Sequence, residues 1–207
     1  MNQVMLNLIM PEIFIAIMAC IILIADVFLH KQSKYIAYML SLFTVTFAAG
    51  LTVNTIPDIS QTIFNDSFIV DKFGCALKLV LYVLLGLIFI YSRSYMQDRK
   101  VLHGEFFALS LFSLLGMMVL ISSGNFLTLY LGLELLVLPL YAMIVMVKKQ
   151  PQYTEAAMKY FIIGSLGAGL LLYGISLVYG ATGSFVFTAV ANAVTAPATL
   201  KLGMLLV

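Results

Sequence analysis

Charge is scarce in this chain. Of 207 residues only 10% are Asp, Glu, Lys or Arg, and 63% are hydrophobic. A soluble domain carries about 25% charged residues. So little charge cannot cover a water-facing surface, which excludes a soluble enzyme and leaves a multispan membrane protein. Tryptophan is absent, so anchoring at the membrane–water boundary falls to tyrosine. The two cysteines, Cys20 and Cys75, stand in apolar runs and read as packing residues, not as a disulfide or a metal pair. His30 and His103 are isolated. There is no phosphate-binding glycine loop, no dinucleotide fingerprint and no paired-cysteine metal motif. Gly164-Ser-Leu-Gly167-Ala-Gly169 is glycine-rich but lies inside an apolar run, where glycines let helices approach. A net charge of +2 carries no nucleic-acid signal.

Long apolar runs are what is there. Six full spans and the start of a seventh are predicted, at about 8–28, 36–53, 73–91, 106–121, 126–147, 154–179 and 200–207, the full ones near the length a bilayer needs. They make one all-α membrane domain, a polytopic transmembrane helix bundle. No Lys or Arg precedes the first span, and Lys31 and Lys34 follow it, the reverse of a signal peptide. Between spans two and three lies a polar stretch with Asp58, Asp66 and Asp71. The loops after spans one, three and five hold Lys31, Lys34, Arg93, Arg99, Lys100, Lys148 and Lys149. The positive-inside rule therefore puts the N-terminus outside, and Tyr35, Tyr38, Tyr91, Tyr95, Tyr153 and Tyr160 gather at the same inner boundary. The stretch Ala181 to Thr199 reads as an uncharged loop. Lys201 to Val207 is too short to span and has neither cap nor flanking charge, so the chain is expected to be the N-terminal part of something longer.

The fifth span carries the one ionisable residue near the middle of an apolar run, Glu134. A carboxylate in hydrocarbon costs a few kcal/mol and marks an ion path by default. Tyr130 lies four residues before it and Tyr141 seven after, on the same helix face, so two phenol hydroxyls could solvate it. Pro139 frees the carbonyl of Leu135 and tends to kink the helix. The competing reading, a polar anchor between helices, stays open. Lys159, one to two turns inside the sixth span, is the natural partner across a short hairpin, and the two would titrate as a coupled pair. Glu134 lies deeper by about eight residues, or ~12 Å at 1.5 Å rise, so direct contact needs the Pro139 kink, the long lysine stem or a bridging water. Snorkelling to the interface is the alternative for Lys159 and the preferred reading of Lys78 in the third span. Asp26, Asp71 and Glu105 read as interface residues. Glu155 suits the positive end of the sixth helix.

Phe126-Leu-Thr-Leu-Tyr-Leu-Gly-Leu-Glu134-Leu-Leu-Val-Leu-Pro139-Leu-Tyr141, followed by Glu155-Ala-Ala-Met-Lys159-Tyr-Phe-Ile-Ile-Gly-Ser, resembles the antiporter-like membrane subunits of respiratory NADH–quinone oxidoreductase (complex I). The Glu-Ala-Ala-Met-Lys-Tyr-Phe phrase, Val70-Asp71-Lys-Phe73 and Gly104-Glu105-Phe-Phe are similar to the subunit N branch. The resemblance implies a fourteen-helix fold with inverted repeats. Glu134 and Lys159 would belong to a chain of buried ionisable groups that moves protons, driven by electron transfer from NADH to quinone. Tyr130, Pro139 and Tyr141 would support that relay. It also implies a bacterial inner-membrane location and no cofactor in this chain. NADH, FMN, iron–sulfur clusters and quinone would sit in other subunits. The partners would be a neighbouring antiporter-like subunit and small membrane subunits. The family's lysines in helices seven, eight and twelve are absent here, so a route made of Glu134 and Lys159 alone is incomplete. A cation/proton antiporter subunit of the same superfamily is the alternative.

Overall fold

The computed structural model describes residues 3–28, 33–57, 59–98, 104–146, 151–193 and 198–207. Lys31, Arg99, Lys100, Lys148, Lys149, His30 and His103, used above for topology and composition, lie outside the described residues, as does Asp58. The helices are α1 (Gln3–Phe28), α2 (Ser33–Asn54), α3 (Lys72–Asp98), α4 (Gly104–Ile121), α5 (Phe126–Val145) and α6 (Pro151–Thr182), then the short α7 (Phe187–Asn192) and α8 (Ala198–Leu206). Six of them, α1 to α6, are long and apolar enough to cross a membrane. Their outward faces carry Ile17, Val27, Val83, Ile163 and Leu166. Such a surface is stable against lipid and not against water.

Helix α4 is the axis of the bundle. It packs on α1, α2, α3 and α5, and more than half of its span is buried. Only Glu105, in its first turn, is charged. Beyond that turn the helix is uncharged, and apart from Ser110 and Ser113 it is apolar or small on every side, as suits a mostly buried helix. Tyr82, Phe89, Phe107, Leu111, Leu114 and Met118 fill the core beside Ile15, Ala19 and Ile22 of α1. Hydroxyls inside this core bond back to their own helices: Ser41 to the Tyr38 carbonyl at 2.7 Å, Thr44 to Leu40 at 2.7 Å and Thr52 to Ala48 at 2.9 Å. No donor is then left bare where water is absent.

Helices α4 and α5 meet through glycine. A β-carbon on Gly116 would fall 2.7 Å from Leu136 Cα and 2.8 Å from the Gly132 carbonyl, and one on Gly132 would fall 2.9 Å from Leu120 N. Backbones this close have dispersion contacts along their length, the main source of helix association in lipid. Helix α5 runs unbroken through Pro139. One residue after the carbonyl that the proline frees, Ser113 Oγ donates to the Leu136 carbonyl at 3.2 Å. Helix α8 docks on α6 in the same manner, Gly203 against Gly174.

Two features differ from the expectation. The polar stretch before span three contains an antiparallel hairpin, β1 (Gln61–Ile63) and β2 (Phe68–Val70), with Thr62 opposite Ile69. Phe64, Asn65 and Asp66 turn it with positive φ. The hairpin is joined to the α4–α5 turn: Ile69 N–H donates to the Ser122 carbonyl at 2.7 Å, Gly124 N–H to Ser67 at 3.0 Å, and Asn125 Nδ2 to Ser67 Oγ at 2.9 Å. Phe126 N–H reaches the Phe185 carbonyl at 3.1 Å, so the segment after α6 joins the same cap. Within 181–199, read above as a loop, six residues form α7.

Because backbone fills the space beside Gly116, Gly116→Val is expected to destabilise the helix pair by roughly 1–3 kcal/mol or more. Gly86→Ala, with nothing within 4 Å of its β-carbon, is expected to be tolerated. The yield and melting temperature of the purified membrane assembly check both.

Candidate functional site

Glu134, Lys159 and a buried pair give three candidate sets of ionisable side chains within the spans. The first is built on α5. Asn125 caps the helix, its side chain accepting from Thr128 N–H at 2.7 Å, which fixes where the helix begins. Glu134 follows nine residues on, about 13 Å along the axis. It is half-buried and lines a groove of about 300 Å³ between α5 and α6, with Val137, Tyr141, Tyr160, Gly164 and Gly167. Tyr130 stands one turn back, and its hydroxyl interacts electrostatically with the carboxylate. Tyr141 lines the same groove and reaches across to α6. Its hydroxyl lies over Gly164, where a methyl group would collide with it, and its ring meets Tyr160 edge-on at 5.1 Å and Phe161 at 5.5 Å. Pro139 is buried on α5.

Lys159 is the second. Its ammonium is 2.6 Å from Glu155 Oε1, one turn back on α6, and both side chains are about two-thirds exposed or more, at 70% and 67%. The structure therefore does not bring Lys159 to Glu134. Its neighbour Tyr160 lines the Glu134 groove and Lys159 does not.

The third set was not anticipated. Lys78 does not snorkel. Its Nζ is 2.6 Å from Glu12 Oε1, and the two side chains are only 4% and 6% exposed. On α3 the buried residues Cys75, Lys78, Tyr82, Leu85 and Phe89 form one stripe, and on α1 so do Leu8, Glu12, Ile15, Ala19 and Ile22. Both charged residues thus stand on core faces, not lipid faces. The hairpin closes the site. Phe68 of β2 sits with its ring centroid 5.4 Å from Lys78 Nζ, and Leu8, Ile63, Val70 and Cys75 pack around it. One turn further along α3 the Tyr82 hydroxyl is 3.1 Å from Thr52 Oγ1 and 3.5 Å from Met118 Sδ. Glu12 Oε2 is buried without a hydrogen-bond partner.

Sequence reasoning passed over Glu12 because it lies four residues inside the first expected span, where charge is common. In helices apolar all round, periodicity does not reveal which face is buried. The available signal was a pairing one: a carboxylate and an ammonium, each one to two turns inside a span, at the same predicted end of the bundle. Asp71 has a local role, accepting from Gly74 N–H at 2.8 Å at the start of α3. Among the described residues no cluster of three or more His, Cys, Asp or Glu stands together, and Cys20 and Cys75 are free thiols.

Comparisons with known proteins agree with this architecture. The family described as "NADH:quinone oxidoreductase/Mrp antiporter, TM" matches residues 123–207. NADH-quinone oxidoreductase subunit N of Thioalkalivibrio sulfidiphilus is 48% identical over 176 residues, 85% of this chain and 37% of that protein. The chain thus spans a little over a third of the length of such curated relatives. A chain of respiratory complex I from Thermus thermophilus superposes with a TM-score of 0.71 at 26% identity, covering 94% of this chain and 43% of that one. A chain of the archaeal membrane-bound sulfane sulfur reductase shares the fold, with a TM-score of 0.77 at 20% identity over 96% of this chain and 42% of its own.

The fold and its buried charges define a polytopic α-helical membrane protein of the antiporter-like class. Within that class the chain is similar to the antiporter-like membrane subunits of NADH–quinone oxidoreductase, and the relatives it matches are subunit N. It is a multi-pass protein of the bacterial inner membrane.

Removing one partner of a buried ion pair strands the other, at a cost of roughly 3–5 kcal/mol, whereas removing both is often near neutral. Lys78→Met is therefore expected to destabilise the protein strongly, and Glu12→Gln with Lys78→Met much less. A double-mutant cycle on the thermal stability of the purified assembly measures the difference.

Proposed function

We propose that this chain is part of a proton-translocating membrane subunit of an NADH–quinone oxidoreductase, in which electron transfer from NADH to quinone drives protons past buried acids and bases. The observation that carries this reading is the set of ionisable groups held inside apolar spans: Glu134 midway along α5 and the Glu12–Lys78 pair between α1 and α3. Such groups are costly in a bilayer and have a use where charge must cross it.

In this proposal Glu134 holds a proton in the α5–α6 groove. Tyr130 donates to the ionised form, and Pro139 gives α5 a point of flexure. Lys159 is the second member of the relay. Its ammonium leaves Glu155, its partner at 2.6 Å, when it takes up or passes charge along the Tyr160–Gly164 face. This chain supplies no redox centre to the reaction. NADH, FMN, iron–sulfur clusters and quinone belong to other subunits, and the neighbours in the membrane are another antiporter-like subunit and small membrane subunits.

A second reading, a subunit of a cation/proton antiporter, is favoured by the matching family description, which names both kinds of protein. The two differ in what drives transport. Glu134→Gln keeps the shape of the side chain and removes its proton. The variant is expected to assemble normally and to lower proton pumping driven by NADH oxidation, read as acidification of inverted membrane vesicles. Parental pumping in Glu134→Gln would contradict the proposal. Sodium-driven proton exchange without NADH would favour the antiporter.

A further inference from the structure

We propose that Glu12 is a second proton-holding site, separate from Glu134, whose free oxygen Oε2 exchanges a proton with water entering at the hairpin end of the bundle while Lys78 keeps its charge. The proposal rests on the reading of the chain as a proton-translocating subunit and adds a site to it.

The carboxylate is asymmetric. Oε1 accepts the Lys78 ammonium at 2.6 Å, while Oε2 is buried with nothing to bond to. A bare buried acceptor costs about 1–3 kcal/mol, more when charged. Two events relieve that cost: a water donates to Oε2, or Oε2 takes a proton. A purely structural ion pair would have both oxygens satisfied, since a buried pair is favourable only when its remaining lone pairs are bonded.

Water has a place from which to arrive. A cavity of about 440 Å³ at the hairpin end is lined by Asn7, Asn54, Thr55 and Gln61 together with apolar residues that include Leu8. A volume of that size with several polar partners holds water. Leu8 lies one turn before Glu12 on α1 and also belongs to the apolar cluster with Phe68 and Cys75, so it stands between the cavity and the pair. On the inward side the Tyr82 hydroxyl is bonded to Thr52 at 3.1 Å in the dry core. Through Leu8 the site adjoins the cavity, which lies at the end that the Lys and Arg distribution places outside.

The other ionisable groups around Glu12 are few. On α3 they are Cys75, Lys78 and Tyr82, with Asp71 at its start. The only charged residues of α2 and α4, Lys34 and Glu105, are at the far end of the bundle. Among the described residues Lys78 is the cation in direct contact with Glu12. When Oε2 takes a proton from a hydronium, an O–H bond forms at Glu12, one breaks at the hydronium, and water is left. The pair then passes from neutral to a single positive charge. Return of the proton to cavity water restores it.

The test uses the complete complex in membranes. Infrared difference spectra recorded across the pH range in which the complex stays assembled are expected to show a carboxylic-acid C=O band. It should shift in heavy water, be missing in Glu12→Gln and be retained in Glu134→Gln. Glu12→Gln with Lys78→Gln removes both charges together, so neither is stranded. It is expected to assemble and to slow NADH-driven proton release on the order of tenfold or more, at or below the usual contribution of one positioned acid–base group. A spectrum unchanged by Glu12→Gln, or parental proton release in the double variant, would overturn the proposal. Glu134→Gln in the same assay separates the failures. If it loses pumping while the double variant keeps it, Glu12 alone is misassigned. If both pump fully, the chain is no proton path.

Discussion

A full charge cannot be left against lipid, and in this protein that constraint is met by an ion pair. Glu12 and Lys78 are 2.6 Å apart and nearly inaccessible. Each must point inward, which fixes the rotation of α1 and α3 about their own axes so that the two side chains meet beneath the hairpin. The rest of that end follows from it. Phe68 lies over the ammonium, where the π-face of a ring favours a cation. The apolar cluster of Leu8, Ile63, Val70 and Cys75 lowers the local dielectric around the pair, which strengthens the attraction it depends on.

The hairpin does more than cover the pair. Through Ser67 and Ile69 it is hydrogen-bonded to residues 122–125, the turn from which α5 departs with its Asn125 cap. Through Gly124 and Phe126 that turn is bonded in its own right to the segment after α6. The lid over one set of ionisable groups is therefore tied to the start of the helix that carries Glu134. Glycine-mediated contact between α4 and α5 holds the lower part of that helix against the rigid core, while α5 and α6 themselves are mostly open along their outer faces.

The six spans were legible because bilayer thickness sets their length and composition marks them without ambiguity. Glu134 was legible for the same reason: a single carboxylate stands out in an apolar run. Its environment was only half legible. Helical spacing places Tyr130 and Tyr141 on its face, but which way each hydroxyl turns depends on α6, and Tyr141 is drawn to Gly164. The Glu134–Lys159 juxtaposition is not formed in this structure, because Lys159 points out of the groove and meets Glu155. The Glu12–Lys78 pair was illegible one helix at a time, since neither residue is unusual near a span end and only the tertiary contact joins them across 66 positions. The hairpin had a sequence signal, two β-branched or aromatic triplets flanking Asn65-Asp66, masked by the aspartates around it.

The central claim is that protein, and not lipid, surrounds the Glu12–Lys78 pair. A cryo-electron-microscopy map of the chain in its membrane assembly, at a resolution that shows side chains and ordered water, tests it most directly. The account predicts joined density for Glu12 and Lys78 beneath Phe68, with no acyl chain in contact with either. A Lys78 side chain extended to the membrane surface, or a Glu12 carboxylate facing lipid, would contradict it.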